Sequence, residues 1–240
     1  MPGVLDDPAR AAAVAAAVAR VEPGMTLGLG SGRAVFGLVE AVAARWPSGT
    51  GGARLRTVTA SRRTEALAQA AGFDLVELDD DLVVDHAFDG ADEVDQDLGL
   101  VKGGGGALLR EKLVMGAARR VTIMAEGRKR VPRLGHTRLL PVEVVRFAWP
   151  STRRRLLHLL PETALRVGRD GRPLVTDEGH YLLDGRVPAE GDLHALADAV
   201  KATLGVVEHG LFLHEADEVL LGRADGTVEV LTRGGSAGAP

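Results

Sequence analysis

The 240-residue chain has no cysteine, which removes disulfide bridges, thiol nucleophiles and cysteine-based zinc sites together. It also lacks any block of like charge: 29 basic residues face 33 acidic ones for a formal net charge of −4, so nucleic acid is a poor fit as a partner. No segment reaches the apolar length needed to cross a bilayer. Lysine is scarce too. Only 4 of the 29 cations are lysine, and Lys102, Lys112 and Lys129 fall in one short window. Where arginine is the default, a lysine can mark a place that needs a compact ammonium rather than a planar fork, with chance as the competing account.

What is present fits a packed globule: 45% of residues are hydrophobic, enough for one large domain or a large and a small one. The alanine-rich start has Asp6 and Asp7 ahead of its apolar run and Arg10 and Arg20 around it. That is the pattern of an amphipathic helix over about residues 7–20, not of a signal peptide. A cytoplasmic protein without a membrane partner is expected.

Helical and strand patterns alternate through the first half. MTLGLG predicts a buried strand and residues 34–45 a helix with Val35, Leu38, Val39 and Val42 on one face. LRTVTA, the helix RRTEALAQAAG, DLVEL and VVDHAF follow, then a helix over about 107–118 and the strand RVTIMA. Such alternation predicts an α/β fold, a Rossmann-like and mostly parallel sheet covered on both faces. From about residue 134 the pattern shifts to two helices among short strands, LLPVEVV, ETALRVG, RPLVT and HYLLD, which predicts a smaller α+β, ferredoxin-like domain. We therefore expect residues 1–133 with 207–240 to form the larger domain and 134–206 the smaller. GLFLHEADEVLLGRADGTVEVL reads as two strands joined at Asp225 and Gly226, and residues 234–240 as a frayed tail.

Three stretches carry possible chemistry. GLGSGR, residues 28–33, sits at a strand-to-helix junction, where amides of Ser31, Gly32, Arg33 and Ala34 can meet an anion. It matches neither a dinucleotide fingerprint nor a Walker loop. Arg62 and Arg63 leave the 2′-phosphate of NADP as an alternative, and a plain tight turn competes with both. DGADEVDQD, residues 89–97, follows a strand, so Asp89 and Asp92, beside the small residues Gly90 and Ala91, can face the crevice of a parallel sheet. A calcium loop fails on spacing, since Gly106 stands where the terminal Glu is needed; a solvated acidic turn accounts for Asp95 and Asp97. VKGGGGALLREK then offers an oxyanion nest at Gly103, Gly104 and Gly105, the charge of Lys102, and Glu111 one and a half turns into a helix. Buried beside Leu108 and Leu109, Glu111 would have the raised pKa of a general base; exposed, it and Lys112 are surface charges. The seven histidines show no metal-ligand spacing.

Together these motifs closely resemble the ribose-5-phosphate isomerase A family over nearly the whole chain. DGADEVDQDLGLVKGGGGALLREK carries most of the likeness, with GLGSG, AEGRKRV followed by LLPVEVV, TDEGHYLLD and GVVEHGLF in order. The resemblance implies a metal-free and cofactor-free interconversion of ribose 5-phosphate and ribulose 5-phosphate through an enediolate. By the same resemblance Glu111 is the proton acceptor, Asp89 and Asp92 assist ring opening and hydroxyl protons, and Lys102 with Gly103, Gly104 and Gly105 holds the sugar oxygens. The resemblance further implies that Lys129 binds substrate and that the protein forms a homodimer or homotetramer. The chain departs from the family pattern in three places: Ser31, Gly32, Arg33 and Ala34 occupy the phosphate loop, where the family carries the hydroxyl-rich G-T-G-S-T and only Ser31 keeps a hydroxyl; Arg10 stands near a common lysine; and His180 stands where asparagine is common. A non-catalytic sugar-phosphate sensor, an isomerase of another sugar phosphate and a CoA-transferase-like enzyme are the alternatives.

Overall fold

The computed structural model describes residues 5–46, 55–233 and 235–237. In the first half the chain runs α1 (Pro8–Val18), β1 (Thr26–Leu29), α2 (Arg33–Arg45), β2 (Arg56–Thr59), α3 (Arg62–Ala70), β3 (Asp74–Leu75) and β4 (His86–Gly90). The short pair β5 (Glu93–Val94) and β6 (Leu100–Val101) precedes α4 (Leu108–Gly116) and β7 (Val121–Glu126). Next come β8 (Leu140–Val144), α5 (Trp149–Leu156), β9 (Ala164–Leu165), β10 (Tyr181–Gly185), α6 (Leu193–Lys201) and β11 (Val206–His209). The chain returns through β12 (Leu211–Phe212), β13 (Glu218–Gly222), β14 (Val228–Thr232) and β15 (Gly235–Ala237). No helix among the described residues is long and apolar enough to cross a membrane.

The large sheet has the order β15-β14-β13-β7-β4-β1-β2-β3, parallel from β13 to β3 and closed by an antiparallel hairpin edge. Its central strands β1 and β7 are buried throughout, as helices on both faces require. Side-chain caps start two of the helices that cover this sheet, α1 and α3. Asp7 accepts the amides of Ala9 and Arg10 with Pro8 in the first turn of α1, and Ser61 accepts the Thr64 amide to start α3. The small side chains Ala9 and Ala13 let α1 approach Gly222 of β13, where a Cβ would run into the Ala9 carbonyl.

β8, α5, β9, β10, α6 and β11 form the expected ferredoxin-like β-α-β-β-α-β unit, an antiparallel sheet of order β11-β8-β10-β9. The division expected between residues 206 and 207 falls inside β11. A third small sheet, β12-β6-β5, lies where the chain passes between the two.

Several elements differ from the sequence reading. DLVEL keeps only Asp74–Leu75 as strand, since β3 is an edge that pairs with β2 alone. RPLVT makes isolated bridges, Val167 to Pro173 and Val175 to Tyr181, because Pro173 has no N–H for a ladder. The hairpin at Asp225 and Gly226 forms as β13 and β14, but Leu211 and Phe212 leave it to pair with β6. Within the segment read as a frayed tail, Gly235–Ala237 pairs with β14; residues 234 and 238–240 lie outside the described residues.

Candidate active site

β1, β2 and β3 extend the sheet in one direction and β4, β7 and β13 in the other, so the order reverses between β1 and β4. At the carboxyl ends of two such strands a crevice opens. Here it is a cleft of about 600 Å³. Residues 31–34, 90–92 and 102–105, with Glu111 and Lys129, all line it. Asp89 lies just beneath, 1% exposed.

Three charged side chains meet in the floor. Lys102 Nζ lies 2.9 Å from Asp89 Oδ2 and 3.2 Å from Glu111 Oε2, and it donates to the Gly90 carbonyl at 2.6 Å. None of the three side chains is more than 6% exposed. Asp89 Oδ1 also accepts the amides of Gly90 at 2.7 Å and Ser31 at 3.2 Å. Glu111 is therefore not the surface charge that its neighbour Lys112 suggested. Burial is the main force on its carboxyl, and with the nearby Asp89 charge it pushes the pKa up to about 8 against the pull of Lys102. Burial raises Asp89 as well, opposed by Lys102 and the two amides. For Lys102 burial acts downward, but Asp89, Glu111 and Asp92 outweigh it and hold the ammonium charged well above the ordinary range. The two carboxyls face one cation and titrate as a pair.

The glycine run shapes the wall. Gly103 and Gly106 take positive φ, 100° and 84°, which turns the chain sharply into α4. Gly104 presses its amide on Asp92 Oδ2 at 2.9 Å, and a side chain there would collide with that carboxylate. Helix α4 begins without a side-chain cap, and its first turn carries Glu111.

The opposite end of the cleft is cationic. Helix α2 also starts without a side-chain cap, from Gly32 at φ 104°, so its first amides face the cleft at the positive end of the helix dipole. Ser31 Oγ bonds Ser61 Oγ at 3.0 Å, and Thr64 Oγ1 donates to the Gly30 carbonyl at 2.8 Å, which fixes the loop to α3. Arg33 lines the cleft with an exposed side chain. Arg10 Nη2 and Lys129 Nζ each sit 2.7 Å from a different oxygen of Glu126. Burial opposes the ionisation of Glu126, but Lys129 and Arg10 prevail and hold it at about 2.

Sequence reasoning missed Glu126 and the loop residues Thr176 and Asp177, which also line the cleft, as does Arg63, read from the sequence only as a group for the 2′-phosphate of NADP. Asp177 accepts the Arg62 amide at 2.9 Å, bringing a loop of the small sheet over the start of α3. The TDEGHYLLD block was noticed without a role for these residues. His180 stands back from this cleft, its Nδ1 3.0 Å from Glu143 Oε1. Among the described residues, no group of three or more His, Asp or Glu side chains is arranged to hold a metal ion.

Comparison with known proteins agrees with this geometry. The family model for ribose 5-phosphate isomerase A (phosphoriboisomerase A) matches residues 56–226. Ribose-5-phosphate isomerase A of Roseiflexus castenholzii is 45% identical over 213 residues, 88% of this chain and 89% of that protein. The Chloroflexus aurantiacus protein of the same name is 43% identical over 223 residues, 93% of each. The solved ribose 5-phosphate isomerase from Plasmodium falciparum superposes with a TM-score of 0.88 at 32% identity, covering 96% of this chain and 100% of that one. With its sequence matching over most of its length and its fold superposing on a solved member, the chain belongs to the ribose 5-phosphate isomerase A family.

Proposed function

We propose that the protein isomerises ribose 5-phosphate to ribulose 5-phosphate with Glu111 moving the proton between C2 and C1, and that the triad of Lys102, Asp89 and Glu111 is the observation that carries this assignment. A base that takes a proton from carbon works best with a pKa near the operating pH, and a carboxyl at about 8 supplies that. The enediolate that forms places negative charge on the oxygens at C1 and C2. Lys102 and the amides of Gly103 and Gly105 are preorganised donors for it, while the Gly104 amide lines the same wall and holds Asp92. Asp92, held by the Gly104 amide with its carboxylate on the cleft, exchanges hydroxyl protons as the ring opens, and Asp89 keeps Lys102 charged and aimed.

The phosphate belongs at the other end, on the α2 amides of Arg33 and Ala34, with Ser31, Gly32, Arg10 and Lys129. Gly90 and Ala91 leave room for the sugar between. A sensor that binds without turnover has no use for a buried base beside a buried ammonium, so nothing favours that alternative. We further propose a homodimer or homotetramer, which the exposed apolar side chains Phe147 and Leu204 on the small sheet unit support; light scattering that finds only monomer at assay concentration overturns it.

Purified protein in EDTA should form ribulose 5-phosphate and incorporate solvent deuterium at the transferred position. Glu111→Gln should remove most of that activity while leaving fold and substrate binding intact. Folded wild-type protein inert on phosphorylated pentoses, or an unimpaired Glu111→Gln variant, defeats the assignment.

A further inference from the structure

The proton-transferring carboxylate sits on a helix of nine residues that has no side-chain cap and exposes Leu113 on its outer face. Such a helix can roll unless something grips it. Lys112, the next residue after Glu111, supplies the grip. Its ammonium has three donors, and three acceptors meet them: Glu208 Oε1 at 3.0 Å, the His209 carbonyl at 3.0 Å and the Leu211 carbonyl at 2.9 Å. The same ammonium stands 4.5 Å from the centre of the Phe212 ring, and Lys102 Nζ lies 5.5 Å from that ring.

All four contacts come from one short segment, residues 208–212, where the chain leaves the small sheet for the large one. That segment also holds the other partner. The Gly210 carbonyl accepts the Lys102 amide at 2.9 Å, and the Gly210 amide donates to the Pro141 carbonyl at 2.8 Å. A Cβ on Gly210 would overlap the Lys102 carbonyl, so the approach is close. Leu211 and Phe212 then pair with Val101 and Leu100.

We propose that Lys112 and Glu208 are positioning residues: through residues 208–212 they hold Glu111 and Lys102 at a fixed separation. This rests on the assignment of Glu111 as the base. Glu208 is built to keep its charge; burial acts against ionisation, yet Lys201, the His209 amide and Lys112 hold its carboxyl at about 2. A side-chain tip lies roughly 5–6 Å from a helix axis, so a roll of about 10° moves Glu111 by about 1 Å. A misplacement of that size can cost about a hundredfold in rate.

The experiment compares kcat, KM and thermal stability for Lys112→Met, which keeps the aliphatic stem over Phe212, for Glu208→Gln, and for the double variant. Lys112→Met should lower kcat about 10- to 100-fold with KM within about threefold. Glu208→Gln, which keeps an acceptor oxygen, should lose less. The double variant should be no slower than Lys112→Met, because both changes release the same grip. A folded Lys112→Met with kcat within twofold of wild type overturns the proposal, as do losses that multiply in the double variant. If Lys112→Met does not fold, Glu208→Gln decides, and wild-type kcat in that variant overturns it. Glu111→Gln, run in parallel, separates the two levels. Full activity in Glu111→Gln defeats the base assignment and the grip with it, whereas activity lost there but kept in Lys112→Met defeats the grip alone.

Discussion

The carboxylate of Asp89 occupies the space that a side chain on Gly30 would need. A Cβ built on Gly30 falls onto Asp89 Cγ and both its oxygens, while the Gly30 amide is held by the Phe88 carbonyl at 2.9 Å. The loop after β1 and the acid near the end of β4 are thus one packed unit at the point where the strand order reverses.

Gly30→Ala should therefore do more than fill space. The neighbouring Asp89 is fixed by Lys102 and two amides and cannot yield without moving the triad. Overpacking of this kind costs about 1–3 kcal/mol, and displacing the acid should cut kcat/KM at least tenfold. Steady-state kinetics and a melting curve on the variant check both parts; a variant with wild-type values of each shows that the loop gives way instead.

The pH dependence of kcat/KM follows from the triad. The base must be ionised to accept a proton, and Glu111 has its pKa raised to about 8, so the active fraction falls tenfold for each unit below that and levels off above it. The substrate's own phosphate ionises near pH 6, about two units lower, so the two limbs are separable. Measurements from about pH 5.5 to 9.5 should show a rise centred near 8. A plateau already reached at pH 6.5 contradicts a raised base.

Most of the parallel sheet was legible because its strands are short apolar runs such as VTIMAE and TLGL set between helical patterns, a local signal. DGAD and KGGGG were legible as motifs, and the cleft gathers them. What was not legible depends on contacts across long stretches of chain. Lys112 reads as a surface charge beside Glu111 until Glu208, 96 residues on, folds back onto it. Glu126 reads as the end of a strand, and nothing near it signals Arg10, 116 residues earlier. Leu211 and Phe212 read as part of the C-terminal hairpin, because nothing local to them signals that they pair with Val101 and Leu100 instead.

Glu111 should also weaken the fold at high pH. A carboxyl whose folded pKa lies above its ordinary value of 4.5 binds its proton more tightly in the native state, so stability is lost as pH rises from about 4.5 through about 8. Each pH unit in that window is worth up to about 1.4 kcal/mol, and each kcal/mol about 2–4 °C in a chain of this size. Glu111→Gln removes the ionisation, so its Tm should gain on wild type steadily between about pH 5 and 8. A constant Tm difference over that range shows that Glu111 is not held protonated.

At the other end of the cleft, Lys129 and Arg10 share the two oxygens of Glu126, and the phosphate must draw on the same cations. Lys129→Met removes one of them and leaves Glu126 with Arg10 and with Arg128, whose Nη2 lies 3.3 Å from its Oε1, so the guanidinium groups that remain there are already paired with carboxylates. KM for ribose 5-phosphate should rise about tenfold, a loss of about 1.4 kcal/mol in binding. The phosphate is remote from C1 and C2, so kcat should change less unless phosphate binding energy is used to align the reacting carbons. The salt dependence distinguishes the partner: with one cation fewer against a dianion, KM of the variant should climb less steeply with ionic strength than that of wild type. An unchanged KM in Lys129→Met, with the protein folded, places the phosphate away from Glu126 and back on the α2 amides alone.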